Sequence, residues 1–245
     1  MPTGDPDVDA ILEIYAADPG STADPAESLR ERKKRQVRQR ISNVATAMFL
    51  VHGFDKVTVA RIAAASEVSE QTVFNYFPTK ESMFFDRSES MIGAVSDAVR
   101  ERGSTSLVDT IMQSVSGGVH LRRSEALDDA AQLHLIRLFC DAAVRSPALV
   151  AARFDDLPRF IDEVSIALAQ RAGADPADPE VQLTALVIAG LLRVGLQSTF
   201  HHVHEVTSVA SLNDVVRNDL IRAARLAEPT LTAFDAMHRT SEGSS

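Results

Sequence analysis

Gln71 and Asn75 stand four residues apart. At about 100° per residue on a helix they share one face, with Val73 and Phe77 on the opposite side. A carboxamide holds a donor and an acceptor in one plane, so each of the two can bond adenine N6 and N7 together in a major groove. Thr72 on the flank can touch a thymine methyl or a phosphate, and Glu70 can accept from cytosine N4 although it also opposes the phosphates. Phe74 lies on the other flank, where it can stack on a sugar, meet a thymine methyl or pack against a preceding helix. Tyr76 can donate its hydroxyl to phosphate, Lys80 supplies a cation beside free backbone N–H groups, and Arg61 is a phosphate candidate or a plain surface residue.

Short elements must hold these side chains in place. Thr58 is an N-cap for a helix running to about Ser66, and Ser69, itself among the candidate DNA contacts, caps the next, which ends before Pro78. Thr79 opens a further helix. Ile62, Ala63, Val68, Val73 and Phe77 can then meet in one small core, the pattern of a helix-turn-helix. Upstream, Val37, Ile41, Val44, Ala45, Met48 and Val51 fall at helical spacing from about Ser28 to His52, with Gly53 as the stop. The front of that helix carries Arg30, Arg32, Lys33, Lys34, Arg35, Arg38 and Arg40, of which two or three are expected to meet phosphate.

The run Thr-Val-Phe-Asn-Tyr-Phe-Pro-Thr-Lys, and more broadly Gln36 to Asp86, resembles the DNA-binding domain of TetR-family bacterial transcriptional regulators. The resemblance implies an all-α homodimer with an N-terminal three-helix helix-turn-helix domain and a C-terminal helical domain for ligand binding and dimerisation. It implies repression from a palindromic operator, relieved by a small-molecule effector, and DNA contact at the positions of Thr58, Gln71, Thr72, Phe74, Tyr76 and Lys80. Two departures stand out. Glycine is usual in the turn where this chain has Ala65-Ser66-Glu67, so Glu67 is expected in the left-handed region at a cost of about 1–2 kcal/mol. An acidic arm also precedes the first helix.

Charge is segregated along the chain. The net charge is −9, yet residues 29–86 hold ten Lys or Arg against six Asp or Glu, the sign expected of a part that approaches phosphate. Residues 1–28 hold seven acidic residues and no Lys or Arg. With Gly4, Pro6, Pro19, Gly20 and Pro25 they read as a disordered arm, although Ile11, Leu12, Ile14 and Tyr15 could form one amphipathic turn docked on the body.

The remaining domains are read as 87–236, helix after helix, and a frayed tail at 237–245. Asp178-Pro179 starts a helix to about His202 that is apolar nearly all round, which calls for burial on two sides, one of them a second subunit. A following helix from about Leu212 to Phe234 can pair with it. Arg145 to Leu149, Ala167 to Arg171 and Leu192-Arg193 resemble C-terminal domains of TetR-type regulators associated with acyl-coenzyme A-like ligands, and Arg193 can meet a ligand anion, an internal carboxylate or solvent.

Other function classes find less support. The longest apolar stretch, Ala185 to Leu192, is interrupted by Gly190 and ends at Arg193, short of the roughly 20 residues of a membrane span. The opening Met-Pro-Thr-Gly-Asp has neither the basic nor the apolar region of a secretory signal. Cys140 is the single cysteine, which rules out an internal disulfide and suits a cytoplasmic protein. No glycine-rich phosphate loop or serine-nucleophile elbow occurs, so no catalytic residue and no cofactor are expected; the rival reading is an all-helical enzyme or binding protein without operator binding. His201, His202 and His204 cluster, but no second carboxylate lies nearby in sequence and Ser208 stands where a zinc-protease pattern needs histidine, so they are read as helix-end or pocket-rim residues and not as metal ligands.

Overall fold

In a computed structural model the described residues are 3–16, 28–103, 105–116, 127–153, 155 and 157–239, and among them helices and turns occur without any strand. Two compact units form: Met1–Arg87 with Leu121–Arg153, and Ser88–His120 with Phe154–Ser245. This differs from the expected boundary after residue 86, because the helices at 129–152 pack with the N-terminal helices.

In the first unit, α1 (Pro6–Ala16) precedes α2 (Leu29–His52). A capping box starts α2: the Ser28 hydroxyl accepts from the Glu31 amide while Glu31 reaches back to Ser28. Gly53, at φ 84°, ends it, a backbone conformation that glycine adopts without strain. The charged front half of α2 stays in solvent, whereas Ile41, Val44, Ala45, Met48 and Phe49 are buried. A 3₁₀ turn (Phe54–Lys56), α3 (Val59–Ala65), α4 (Glu70–Tyr76) and α5 (Lys80–Phe84) follow. Ile62, Ala63, Val73 and Phe77 are buried as expected, and Val68 is half-buried.

The same unit is completed by α8 (Asp129–Arg145) and α9 (Pro147–Ala152). Phe139 of α8 stacks on Phe84 with centroids 4.5 Å apart, and Phe84 also meets Phe49 and Phe54 at 6.1 Å. The Ser146 hydroxyl donates to Asp55 at 2.8 Å. Aromatic side chains this far apart in sequence bury a large area together, which explains why the N-terminal helices recruit a segment assigned by sequence to the other domain.

Part of the acidic arm is also structured. Residues 6–16 form α1, packed on α2, with Val8 only 1% exposed. Asp5 pairs with His52 at 3.1 Å. The docked alternative therefore replaces the disordered one over this stretch, because burial of Val8 with Ile11, Leu12 and Ile14 half-covered outweighs the ordering of one short helix. The arm's residues 17–27 lie outside the described residues.

The second unit contains α6 (Asp86–Glu101) from Ser88 onward, α7 (Leu107–Ser116), α10 (Leu157–Ala172), α11 (Pro179–His202) and α12 (Val209–Arg239). α11 is long and apolar enough to cross a membrane by length and composition alone, longer than the stretch weighed in the sequence, yet Val181, Ala185, Ile188, Ala189 and Leu192 are buried and half of the window is covered. It packs against α10, α12 and α7, the pattern of a core helix. α12 runs beyond its expected end and continues past Pro229, so residues 237–239 are helical; residues 240–245 of the expected tail lie outside the described residues. Arg102 pairs with Asp235 at 2.6 Å, and the other Asp235 oxygen accepts from the Leu107 amide at 2.8 Å. One carboxylate thus ties the end of α12 to the start of α7 and to the residue after α6.

Candidate nucleic-acid interface

Capping chemistry sets the orientation of α4. The Ser69 hydroxyl accepts from the Thr72 amide at 3.1 Å and bonds the Thr72 hydroxyl at 2.8 Å, which satisfies a free N–H of the first turn. Thr58 does the same for α3, accepting from the Arg61 amide at 3.3 Å. Ser69, Thr58 and Thr72 thus have structural bonds, and Arg61 is exposed. Between the two helices Glu67 has φ 54°, the positive angle expected where glycine is missing.

Val73 and Phe77 are buried while Gln71, Asn75 and Glu70 are exposed. The Gln71 side-chain amide donates to the Asn75 carbonyl oxygen at 3.1 Å. That bond aligns the two carboxamides on one solvent face and leaves the remaining Gln71 acceptor and Asn75 donors free in kind to meet base edges. Phe74 is 46% exposed. Packing against a preceding helix is therefore not its role, and an apolar ring stands on the flank of the polar face. Tyr76 is half-buried, and its main-chain carbonyl is taken by a basic residue.

That residue is Arg38. Its guanidinium donates to the Tyr76 carbonyl at 3.0 Å, pairs with Asp86 and lies 4.5 Å above the Phe77 ring. Among the seven basic residues at the front of α2, Arg38 is thus a structural clamp from α2 to the end of α4. Arg30, Arg32, Lys33, Lys34 and Arg40 are exposed.

Lys80 departs most from its expected role. Its ammonium donates to the Phe54 and Val57 carbonyls at 3.0 and 3.2 Å and sits 4.0 Å over the Phe54 ring. Two of its three N–H groups are used holding the turn before α3 against the start of α5, so Lys80 is foremost a brace and only its remaining proton faces other partners. Sequence reasoning missed this because the partners lie 26 and 23 residues away. A short turn ending in carbonyls, next to an aromatic residue, offers no spacing signal.

Cys140 is buried, and burial first, then the neighbouring Asp141, pushes its thiol up to about 12. It is a packing residue, inert as a nucleophile at neutral pH. In the second unit a cavity of about 210 Å³ is lined by Val99, Arg102, Leu168, Arg171, Phe234 and His238, among others. Arg193 is exposed on α11.

Residues 41–86 match the family described as bacterial regulatory proteins, tetR family. The chain is 29% identical over 158 residues to the HTH-type transcriptional regulator TcmR of Streptomyces glaucescens, covering 61% of this chain and 66% of that protein. It is 29% identical over 121 residues to the nucleoid occlusion factor SlmA of Pasteurella multocida, covering 47% of this chain and 51% of the relative. The matches thus span between half and two thirds of these relatives. A TetR-family regulator structure from Mesorhizobium loti covers 82% of this chain and 98% of its own, at 21% identity and a TM-score of 0.39.

Proposed function

We propose, from the premise that the chain belongs to the TetR family of bacterial regulatory proteins, that it is a DNA-binding transcriptional regulator acting as a homodimer on a palindromic operator. The observation that carries this reading is the solvent face of α4, where Gln71 and Asn75 are aligned by their own bond and flanked by the exposed ring of Phe74. It acts in the cytoplasm, at the nucleoid when bound to DNA. Repression is the expected sign.

A second copy is proposed to cover the outer side of α11 and α12, where Leu183, Leu186, Ile221 and Leu226 are exposed in the single chain. The effector is proposed to be a small anionic molecule, acyl-coenzyme A-like in class, whose acidic group enters the cavity beside Arg171 and His238, next to the Arg102–Asp235 pair that also lines it. A volume near 210 Å³ suits that group and not a whole coenzyme. Release requires only that the effector bind more tightly to the conformation whose two reading heads are wrongly spaced.

Competition binding on an operator and its single-base variants tests the reading. Gln71→Ala and Asn75→Ala are each expected to weaken specific binding by about 1–3 kcal/mol and to relax preference at an adenine position. Base preference unchanged in both variants would remove α4 as the reading helix.

A further inference from the structure

The end of α11 carries a cluster that the DNA reading does not use. Ligand atoms of His201, His202 and Glu205 lie within 4.8 Å of one another. His202 Nδ1 is 2.8 Å from the Glu205 carboxylate, and the His201 and His202 rings meet edge to face with centroids 4.6 Å apart. On the far side, His202 Nε2 is 3.3 Å from Asp219 of α12. Asp219 is fixed in turn by the Ser198 hydroxyl, which donates to it at 2.8 Å, and by Arg222 at 3.1 Å.

This is the second carboxylate that local spacing lacks, brought in from 17 residues away by the pairing of α11 with α12. A histidine that binds a metal through one ring nitrogen almost always gives its other N–H to a carboxylate, which fixes the tautomer and the ring orientation. Here Asp219 faces Nε2, while Nδ1 and Glu205 share a proton that a metal ion would replace, so that Nδ1 is the ring atom placed to ligate beside His201. Both histidines also lie in the last turn of α11, the negative end of the helix dipole, which favours a cation.

We propose that His201, His202 and Glu205 bind a divalent transition-metal ion of the zinc type, with Asp219 as the residue that positions His202. Two imidazoles and a carboxylate are a donor set that zinc accepts, with a fourth position left for water. Metal–ligand bonds of about 2.0–2.1 Å put tetrahedral ligands about 3.3 Å apart. The His202–Glu205 pair at 2.8 Å therefore opens slightly as the ion replaces the shared proton, and exposed His201 swings inward. The site does not depend on operator binding, so each can fail without the other.

The test is a zinc titration of the full chain, freed of metal with a chelator, in competition with a chromogenic zinc indicator. One equivalent per chain is expected, together with a rise in melting temperature. Glu205→Gln and His201→Ala change exposed side chains, so both variants should fold, which circular dichroism checks; each should lose affinity tenfold or more and lose the zinc-dependent rise in melting temperature. Asp219→Asn should lower affinity 10–100-fold, whereas His134→Ala, on the other unit, should leave it unchanged. Absence of stoichiometric zinc binding, or binding that survives both Glu205→Gln and His201→Ala, overturns the site. Unchanged affinity in Asp219→Asn overturns the positioning role.

Discussion

Glu67 is the one non-glycine residue with positive φ among the described residues, and it sits in the turn that joins α3 to α4. A left-handed angle costs an L-residue about 1–2 kcal/mol, while glycine gains back freedom in the unfolded chain worth about 0.4–1 kcal/mol. Glu67→Gly is therefore expected to stabilise the protein by up to about 1 kcal/mol, measured by urea unfolding, with operator affinity unchanged because the side chain is exposed. A destabilised variant would mean that the Glu67 side chain contributes more than its backbone angle costs. This residue was legible from sequence by the absence of a glycine, and so was the rotation of α4, which the spacing of Val73, Phe77, Gln71 and Asn75 determines. Lys80 and Arg38 were not legible. Each is a cation near a reading motif, where phosphate contact is the natural reading, and only the folded chain shows carbonyls of Phe54, Val57 and Tyr76 claiming them.

At the scale of elements, helix caps and stops were readable because they act within four residues: Gly53, Thr58, Ser69 and Thr79 serve as expected, and Ser28, read only as the approximate start of its helix, proves to be its cap. Associations between helices were harder, since they rest on shapes that meet across many residues. The helical arm α1 and the recruitment of α8 are of this kind, and so is the carboxylate of Asp235, 128 residues from the amide of Leu107. Asp235 is 2% exposed and Arg102 10%. Removing one member of such a pair leaves a buried charge uncompensated, which typically costs about 3–5 kcal/mol. Asp235→Ala should lower stability by about that amount in chemical denaturation, and a loss below 1 kcal/mol would show that water reaches Arg102 freely once its partner is gone.

For the molecule as a whole, the balance of −9 hides a basic face at the front of α2, and the exposed apolar residues of α11 and α12 form the face proposed for a second copy. Leu186 is 50% exposed, so a charge there is tolerated by the single chain and penalised only where another subunit covers it. Leu186→Glu is expected to sediment as a monomer with unchanged helical content and to lose most of its affinity for a palindrome. Equal sedimentation of variant and wild type would place the interface elsewhere.

The division of the chain also bears on how the protein is made. Phe84 stacks on Phe139, and Asp55 receives the hydroxyl of Ser146, so the unit that carries the reading helix cannot close its core until α8 and α9 have left the ribosome. At roughly 5–20 residues per second, the newly made helix-turn-helix waits several seconds with the face of Phe84 uncovered. During that interval the nascent chain offers an apolar surface to chaperones, and a gene fragment ending at the boundary suggested by the motif would hold it in that unfinished state permanently.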